Sequence, residues 1–222
     1  MKLLPHIEVN PEEPVQSTVI WLHGLGADGN DFAPIVPELR LPAELGIRFI
    51  FPHAPSMPVT VNGGYVMPAW YDILEMSIDR KIDTEQLLKS AEAIEAFIDR
   101  EIERGVPAHR IVIAGFSQGG AVAYQVAFGG RHTLAGVMAL STYFATSDTI
   151  HFTREDADFP VLVCHGTLDP VVPEALGQKA CEQLKSRGFQ PRYLTYPMEH
   201  QVCMEEINDI SLWLRETLSF EV

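Results

Sequence analysis

An apolar run, Arg110 to Gly115 (RIVIAG), leads straight into Phe116-Ser117-Gln118-Gly119 and then into the small-residue stretch Gly120-Ala121-Val122-Ala123. A short β-branched run, a Gly-x-Ser-x-Gly turn and a helix of small residues together prescribe strand, sharp turn and helix. That arrangement forces the serine hydroxyl out at the carboxyl edge of a sheet. The glycines matter because strand and helix must approach closely around a strained turn. Out of context the pentapeptide would be a glycine-rich turn that happens to contain a serine; its setting is what constrains the fold.

The rest of the chain keeps the same rhythm. Thr18–His23, Arg48–Pro52, Leu134–Ser141, Pro160–His165 and Pro191–Tyr196 are further strand candidates, mostly short and apolar on both faces, as strands covered on both sides of a parallel sheet must be. Between them, Thr84–Arg104 carries Leu87, Leu88, Ala91, Ile94, Ile98 and Ile102 at helical spacing and stops at Gly105 and Pro107. Residues 118–128, 174–187 and 201–218 read as helices in the same way. The alternation predicts an α/β fold: a mostly parallel, doubly wound sheet with helices on both faces, in one domain over residues 1–222. One stretch breaks the pattern. From His53 to Asp83 there are prolines at 55, 58 and 68, a Gly63-Gly64 pair and Trp70-Tyr71-Asp72. A long aperiodic segment inside a compact fold is usually functional, and it is expected on the surface near a site.

A serine hydroxyl is a poor nucleophile until a base takes its proton. Where the elbow is of this kind, the partners follow in the order Ser, Asp or Glu, His. Asp169 lies in a turn directly after the strand ending at His165. His200 lies between the last strand candidate and the last helix, where none of the other seven histidines falls. A turn aspartate before proline, or a loop histidine, means little alone; the ordered set Ser117, Asp169, His200 means much more. A developing oxyanion also needs two preorganised N–H donors. The residue after the nucleophile, Gln118, supplies one. The glycine loop His23-Gly24-Leu25-Gly26 after the first strand candidate supplies the other through Leu25 N–H. A phosphate-cradling reading of that loop lacks the Gly-Lys-Ser/Thr or G-x-G-x-x-G it would need.

Only 18 residues separate Ser141 from Pro160, too few for a helical cap domain, so the site is expected to be open. Ile73, Leu74 and Met76, with Leu25 and Leu176, are candidates for an apolar acyl slot, or else ordinary core contacts. Trp70 is either a scaffold aromatic or a wall of the substrate groove.

These motifs resemble the phospholipase/carboxylesterase group that includes acyl-protein thioesterases and small bacterial carboxylesterases. The likeness runs through WLHGLGADGNDF (Trp21–Phe32), IVPELRLP (Ile35–Pro42), AWYDI (Ala69–Ile73), RIVIAGFSQGG (Arg110–Gly120), ALSTY (Ala139–Tyr143), HGTLDPVVP (His165–Pro173) and YPMEHQVCMEEI (Tyr196–Ile207). Phe116-Ser117-Gln118-Gly119-Gly120 separates this group from lipases and peptidases of the same fold. The resemblance implies an α/β-hydrolase fold and a triad of Ser117, Asp169 and His200, with no departure at those positions. It also implies an oxyanion hole from the Leu25 and Gln118 N–H groups and acyl contacts from residues 70–74. It points to a carboxylesterase acting on a small ester or an acylated substrate, with an acyl-protein thioesterase or lysophospholipase as the alternative and a monomer or homodimer as the assembly. A non-catalytic binding protein on a hydrolase scaffold is the remote alternative, and would tolerate a broken triad.

Composition sets the outer bounds. A formal net charge of −14 argues against nucleic acid and anionic membrane surfaces, which require a basic footprint. No metal or organic cofactor is signalled. The N-terminal Met1-Lys-Leu-Leu-Pro-His has no apolar core behind it, so it does not read as a signal peptide, and no run approaches a membrane span. The three cysteines, Cys164, Cys181 and Cys203, lack metal-like spacing and read as reduced thiols, so the cytoplasm is the expected compartment.

Overall fold

In the computed structural model, which describes residues 3–76 and 80–219, a seven-stranded sheet is laid down in the order β1-β3-β2-β8-β9-β10-β11. Its strands are β1 (His6–Val9), β2 (Ser17–Leu22), β3 (Ile47–Pro52), β8 (Ile111–Phe116), β9 (Gly136–Leu140), β10 (Val161–Gly166) and β11 (Arg192–Tyr196). Only β1 runs antiparallel, against β3; every other pairing is parallel. The helices are α1 (Thr84–Glu103), α2 (Gln118–Gly129), α3 (Glu174–Ser186) and α4 (Met204–Leu218).

Strand side chains alternate between faces, and two apolar clusters divide accordingly. Ile20, Leu22, Ile111 and Ile113 pack with α1, α2 and α3 on one face. Val19, Trp21, Val112 and Ala114 pack with α4 and the single-turn helices of residues 33–45 on the other. Because both faces are covered, β2, β3, β9 and β10 are buried along their whole lengths, which is why they read as continuous apolar runs. The doubly wound α/β-hydrolase architecture expected from the sequence is the one found. Residues 142–159 hold no helix and build no cap.

The aperiodic stretch is more ordered than expected. It forms the hairpin β4 (Ser56–Val59) with β5 (Tyr65–Pro68), then the small pair β6 (Ile73–Glu75) with β7 (Lys81–Ile82); residues 77–79 lie outside the described residues. Gly63 and Gly64 take φ of 67° and 78° at the hairpin turn, a conformation glycine adopts without a Cβ penalty. Nor is the stretch wholly superficial: Ala69, Trp70 and Tyr71 are fully buried. The last helix starts at Met204 rather than Gln201, because Cys203 caps it in an extended conformation.

Helix α4 carries an exception to its apolar inner face. Glu206 is wholly buried, and neither carboxylate oxygen has a hydrogen-bond partner. Burial disfavours the charge and pushes its carboxyl up to about 8. In the unfolded chain the group ionises near 4.5; between there and about 8 the folded protein keeps a proton the unfolded chain releases. Stability therefore falls with rising pH across that window. Glu206→Gln, which has no charge to bury, should melt above the wild type at the alkaline end of the window and converge with it at the acid end. Thermal melts at both ends check this, and an equal gap at both would contradict it.

Candidate active site

Each expected functional group sits just beyond the carboxyl end of a parallel strand, where open α/β sheets place their ligands. Ser117 follows β8, Asp169 follows β10, His200 follows β11 and Leu25 follows β2. Ser117 adopts φ 53° and ψ −121°, a strained conformation for a residue with a side chain. Its surroundings enforce it. A Cβ on Gly115 would stand 2.2 Å from Gly119 O, and one on Gly119 would stand 2.5 Å from His23 O. Ser117 N–H donates to Leu140 O at 2.9 Å, and the Thr142 hydroxyl donates to Ser117 O at 2.5 Å.

The structure brings the three side chains together. Ser117 Oγ lies 3.0 Å from His200 Nε2, and His200 Nδ1 lies 2.6 Å from Asp169 Oδ2. The other oxygen, Asp169 Oδ1, accepts from Val171 N–H at 2.9 Å and Val172 N–H at 2.8 Å, so the carboxylate cannot rotate freely. With Asp169 accepting at Nδ1, His200 keeps its Nε2 lone pair towards the serine. The Phe116 ring packs against the imidazole, centroids 4.8 Å apart. A second histidine braces this arrangement from beneath. His165, fully buried, approaches Val172 O at 2.7 Å and Asp169 Oδ2 at 3.7 Å. Burial lowers its pKa, which favours the neutral ring.

Among the described residues, neither Leu25 N–H nor Gln118 N–H donates to a protein acceptor. Gln118 opens α2, and first-turn N–H groups have no partner inside their helix. The loop carrying Leu25 is shaped by Gly26 at φ 78°, whose N–H donates to Pro68 O at 2.8 Å.

Both donors border a cavity of about 340 Å³ that also holds Ser117 and His200. Of the residues expected at the substrate, Leu25, Ile73 and Met76 line it. Trp70, Leu74 and Leu176 do not. Leu74 follows Ile73 on β6, so strand alternation turns it outward, where it is 47% exposed. Leu176 packs into the core from α3 and reaches only a smaller neighbouring cavity. Trp70 is a support rather than a wall. Its Nε1–H donates to His23 O at 2.8 Å, its backbone N–H donates to Gln118 Oε1 at 2.8 Å, and its carbonyl accepts from Ser90 Oγ. Gln118 Nε2 donates to Tyr71 O at 2.5 Å.

The cavity also includes residues that the sequence did not single out: Phe116, Tyr143, Val171, Val61, Asn62 and Arg80, with exposed Asp31 at its edge. Phe116, Tyr143, Val171 and Asp31 fall within segments that carry the family likeness, a usable signal; Val61, Asn62 and Arg80 lie outside those segments. The described residues contain one constellation of metal-ligand type, Glu95, Asp99 and His132. None of the three lines the cavity, and Arg131 already pairs with both carboxylates.

Trp70→Phe keeps the aromatic bulk but strands the buried His23 carbonyl. An unfolding titration should show a loss of about 1–3 kcal/mol, the cost of an unsatisfied buried acceptor. Wild-type stability in that variant would refute the supporting role.

A family model described as Phospholipase/Carboxylesterase matches residues 5–218. Acyl-protein thioesterase 1 of Neurospora crassa is 38% identical over 213 residues, covering 91% of this chain and 87% of the relative. Among solved structures, Zea mays acyl-protein thioesterase 2 superposes with a TM-score of 0.82 at 29% identity, covering 97% of this chain and 100% of that one. Arabidopsis thaliana SOBER1 gives 0.84 at 31% identity, with coverage of 91% and 99%. Bacillus cereus carboxylesterase, at 19% identity and a TM-score of 0.78, shares the fold. With an unbroken Ser-His-Asp relay at the strand ends and a family match along nearly its whole length, the chain belongs to the phospholipase/carboxylesterase family.

Proposed function

We propose that this protein is a serine hydrolase that cleaves carboxylic esters, and thioesters of the same shape, through an acyl-enzyme on Ser117. The observation that carries the reading is the continuous relay Ser117–His200–Asp169, with contacts of 3.0 and 2.6 Å, at the wall of a cavity lined by both candidate oxyanion donors. In the first step Ser117 Oγ attacks the carbonyl carbon while His200 Nε2 takes the hydroxyl proton. The carbonyl oxygen gathers the charge against the Leu25 and Gln118 N–H groups. His200 then delivers the proton to the departing alcohol or thiol, leaving an ester on Ser117. Water repeats the sequence: His200 takes one of its protons, the hydroxyl adds to the acyl carbon, and Ser117 Oγ recovers its proton as the acid leaves. Asp169 holds the imidazole tautomer and stabilises the imidazolium without being protonated.

A cavity of about 340 Å³ is at the small end of ligand sites, which favours short and medium acyl groups. The names of the Neurospora and maize relatives favour a second reading, removal of acyl groups from acylated proteins. A protein thioester presented at the open rim would meet the same relay. We place the activity in the cytoplasm, a reading supported by the three unpaired cysteines. Among the described residues, no helix is long and apolar enough to cross a membrane.

A fluorophosphonate probe should label Ser117 stoichiometrically, with the adduct mapped by mass spectrometry. Turnover of p-nitrophenyl esters should fall from butyryl towards palmitoyl. Ser117→Ala should lower kcat by about four to six orders of magnitude, and Asp169→Asn by about four, with the fold retained. Near-wild-type turnover in Ser117→Ala, or no labelling of folded protein, would overturn the assignment.

A further inference from the structure

Arg80 stands out in the cavity wall. Apart from the relay histidine it is the one basic side chain there among the described residues, in a lining otherwise dominated by Leu25, Val61, Ile73, Met76, Phe116 and Val171. Its guanidinium donates through Nη2 to Val171 O, and through Nη1 to Met76 Sδ at 3.4 Å. Its central carbon lies 5.1 Å from the Tyr143 ring centroid. Tyr143 is itself fixed from behind by a hydroxyl contact of 2.7 Å with buried Tyr71. Arg80 Nε is buried with no acceptor. On its other side, Arg80 and Tyr143 wall a second cavity of about 90 Å³ that also holds Asp148 and Lys179.

These partners hold the guanidinium without neutralising it. A carbonyl oxygen, a thioether and an aromatic face carry no net charge, and no carboxylate of the described residues lies within ion-pair distance of Arg80. The acid that does reach this cavity, Asp31, belongs to the loop that follows Leu25 rather than to the Tyr143–Val171 side. A half-desolvated, preorganised guanidinium with unused N–H donors suits a planar or tetrahedral oxyanion, which it can meet with two charge-assisted hydrogen bonds.

We propose that Arg80 is a specificity-determining residue that selects esters bearing an anionic group, a carboxylate or a phosphate, on the arm of the substrate that extends towards Tyr143 and Val171. The inference rests on the hydrolase reading above and deepens it. The anion has two possible chemical sources: a terminal carboxylate on the acyl chain, as in monoesters of dicarboxylic acids, or a phosphate on the alcohol.

Two matched pairs of substrates test it. One compares the 4-methylumbelliferyl monoester of glutaric acid with 4-methylumbelliferyl pentanoate; the other compares hexanoyl glycerol phosphate with hexanoyl glycerol. In one pair, wild-type protein should show an anionic-over-neutral ratio of kcat/KM that drops about tenfold or more in Arg80→Gln, chiefly through KM, as loss of charge-assisted hydrogen bonds requires. Arg80→Lys should recover part of the ratio, and added salt should weaken it in the wild type. The pair that responds identifies the source of the anion. Arg80→Met, which preserves packing against Tyr143, replaces the glutamine variant if that one does not fold. Unchanged ratios in both pairs, with neutral esters still turned over, would overturn the role of Arg80 and leave the hydrolase reading standing. Absence of all ester turnover in the wild type would overturn both.

Discussion

The close approach of β8 to α2 is the constraint on which the site depends. At that junction Ser117 sits at φ 53°, and a residue held there costs on the order of 1–3 kcal/mol. The surrounding backbone repays that cost: Ser117 N–H and O are both hydrogen-bonded, and the glycines at 115 and 119 admit backbone at distances that any Cβ would forbid. Three consequences come from the one turn. The hydroxyl is presented clear of the sheet, Gln118 N–H is left unpaired at a helix N-terminus, and α2 is brought flat against the core, where nearly all its residues are buried. A side chain at position 115 or 119 would force strand and helix apart and undo the presentation of the hydroxyl.

A second constraint ties the two halves of the oxyanion site to each other. Leu25 and Gln118 come from loops more than ninety positions apart in the chain, and their N–H groups must converge on one atom. The buried segment Ala69-Trp70-Tyr71 spans that gap, bonded to His23 O on one side and to the Gln118 side chain on the other, and anchored to α1 through Ser90. Gln118 thus works twice: its backbone faces the cavity while its side chain fastens the support. Preorganised donors are effective because they need not reorient as charge develops, and this lattice of buried hydrogen bonds is what removes their freedom.

Legibility in the sequence followed burial. Strands β2, β8, β9 and β10 are apolar on both sides and stand out as runs, while the amphipathic period of α1 marks its length to within a residue. Edge strand β1 (His6–Val9) was invisible because an edge strand covered only in part carries no such run, and its HIEV alternation is too short to register. The hairpin β4–β5 contains proline and glycine, and the pair β6–β7 has strands of only three and two residues, too short for a period to register, so local pattern said loop. Ser117, Asp169 and His200 were readable because topology fixes their order along the chain. The interior use of Trp70 was not, since an indole is as plausible at a wet wall as in a core. Arg80 gave no signal at all: its significance comes from Tyr143 and Val171, far away in sequence.

The distribution of these residues separates reactivity from selectivity. The relay hangs from the ends of β8, β10 and β11, all members of the central sheet. Much of the cavity wall, by contrast, comes from Val61, Asn62, Ile73, Met76 and Arg80, carried by two small strand pairs that, among the described residues, make no ladder bonds to that sheet. With no cap built by residues 142–159, this wall is what the substrate meets first. Ladder hydrogen bonds hold the sheet rigid, so side chains on β6 and around Arg80 can change without disturbing a contact of 2.6 or 3.0 Å in the relay. The exception is the buried segment between the hairpins. Trp70 and Tyr71 lie between the two strand pairs in sequence but belong by hydrogen bonding to the oxyanion site, so alterations there act on reactivity and stability together.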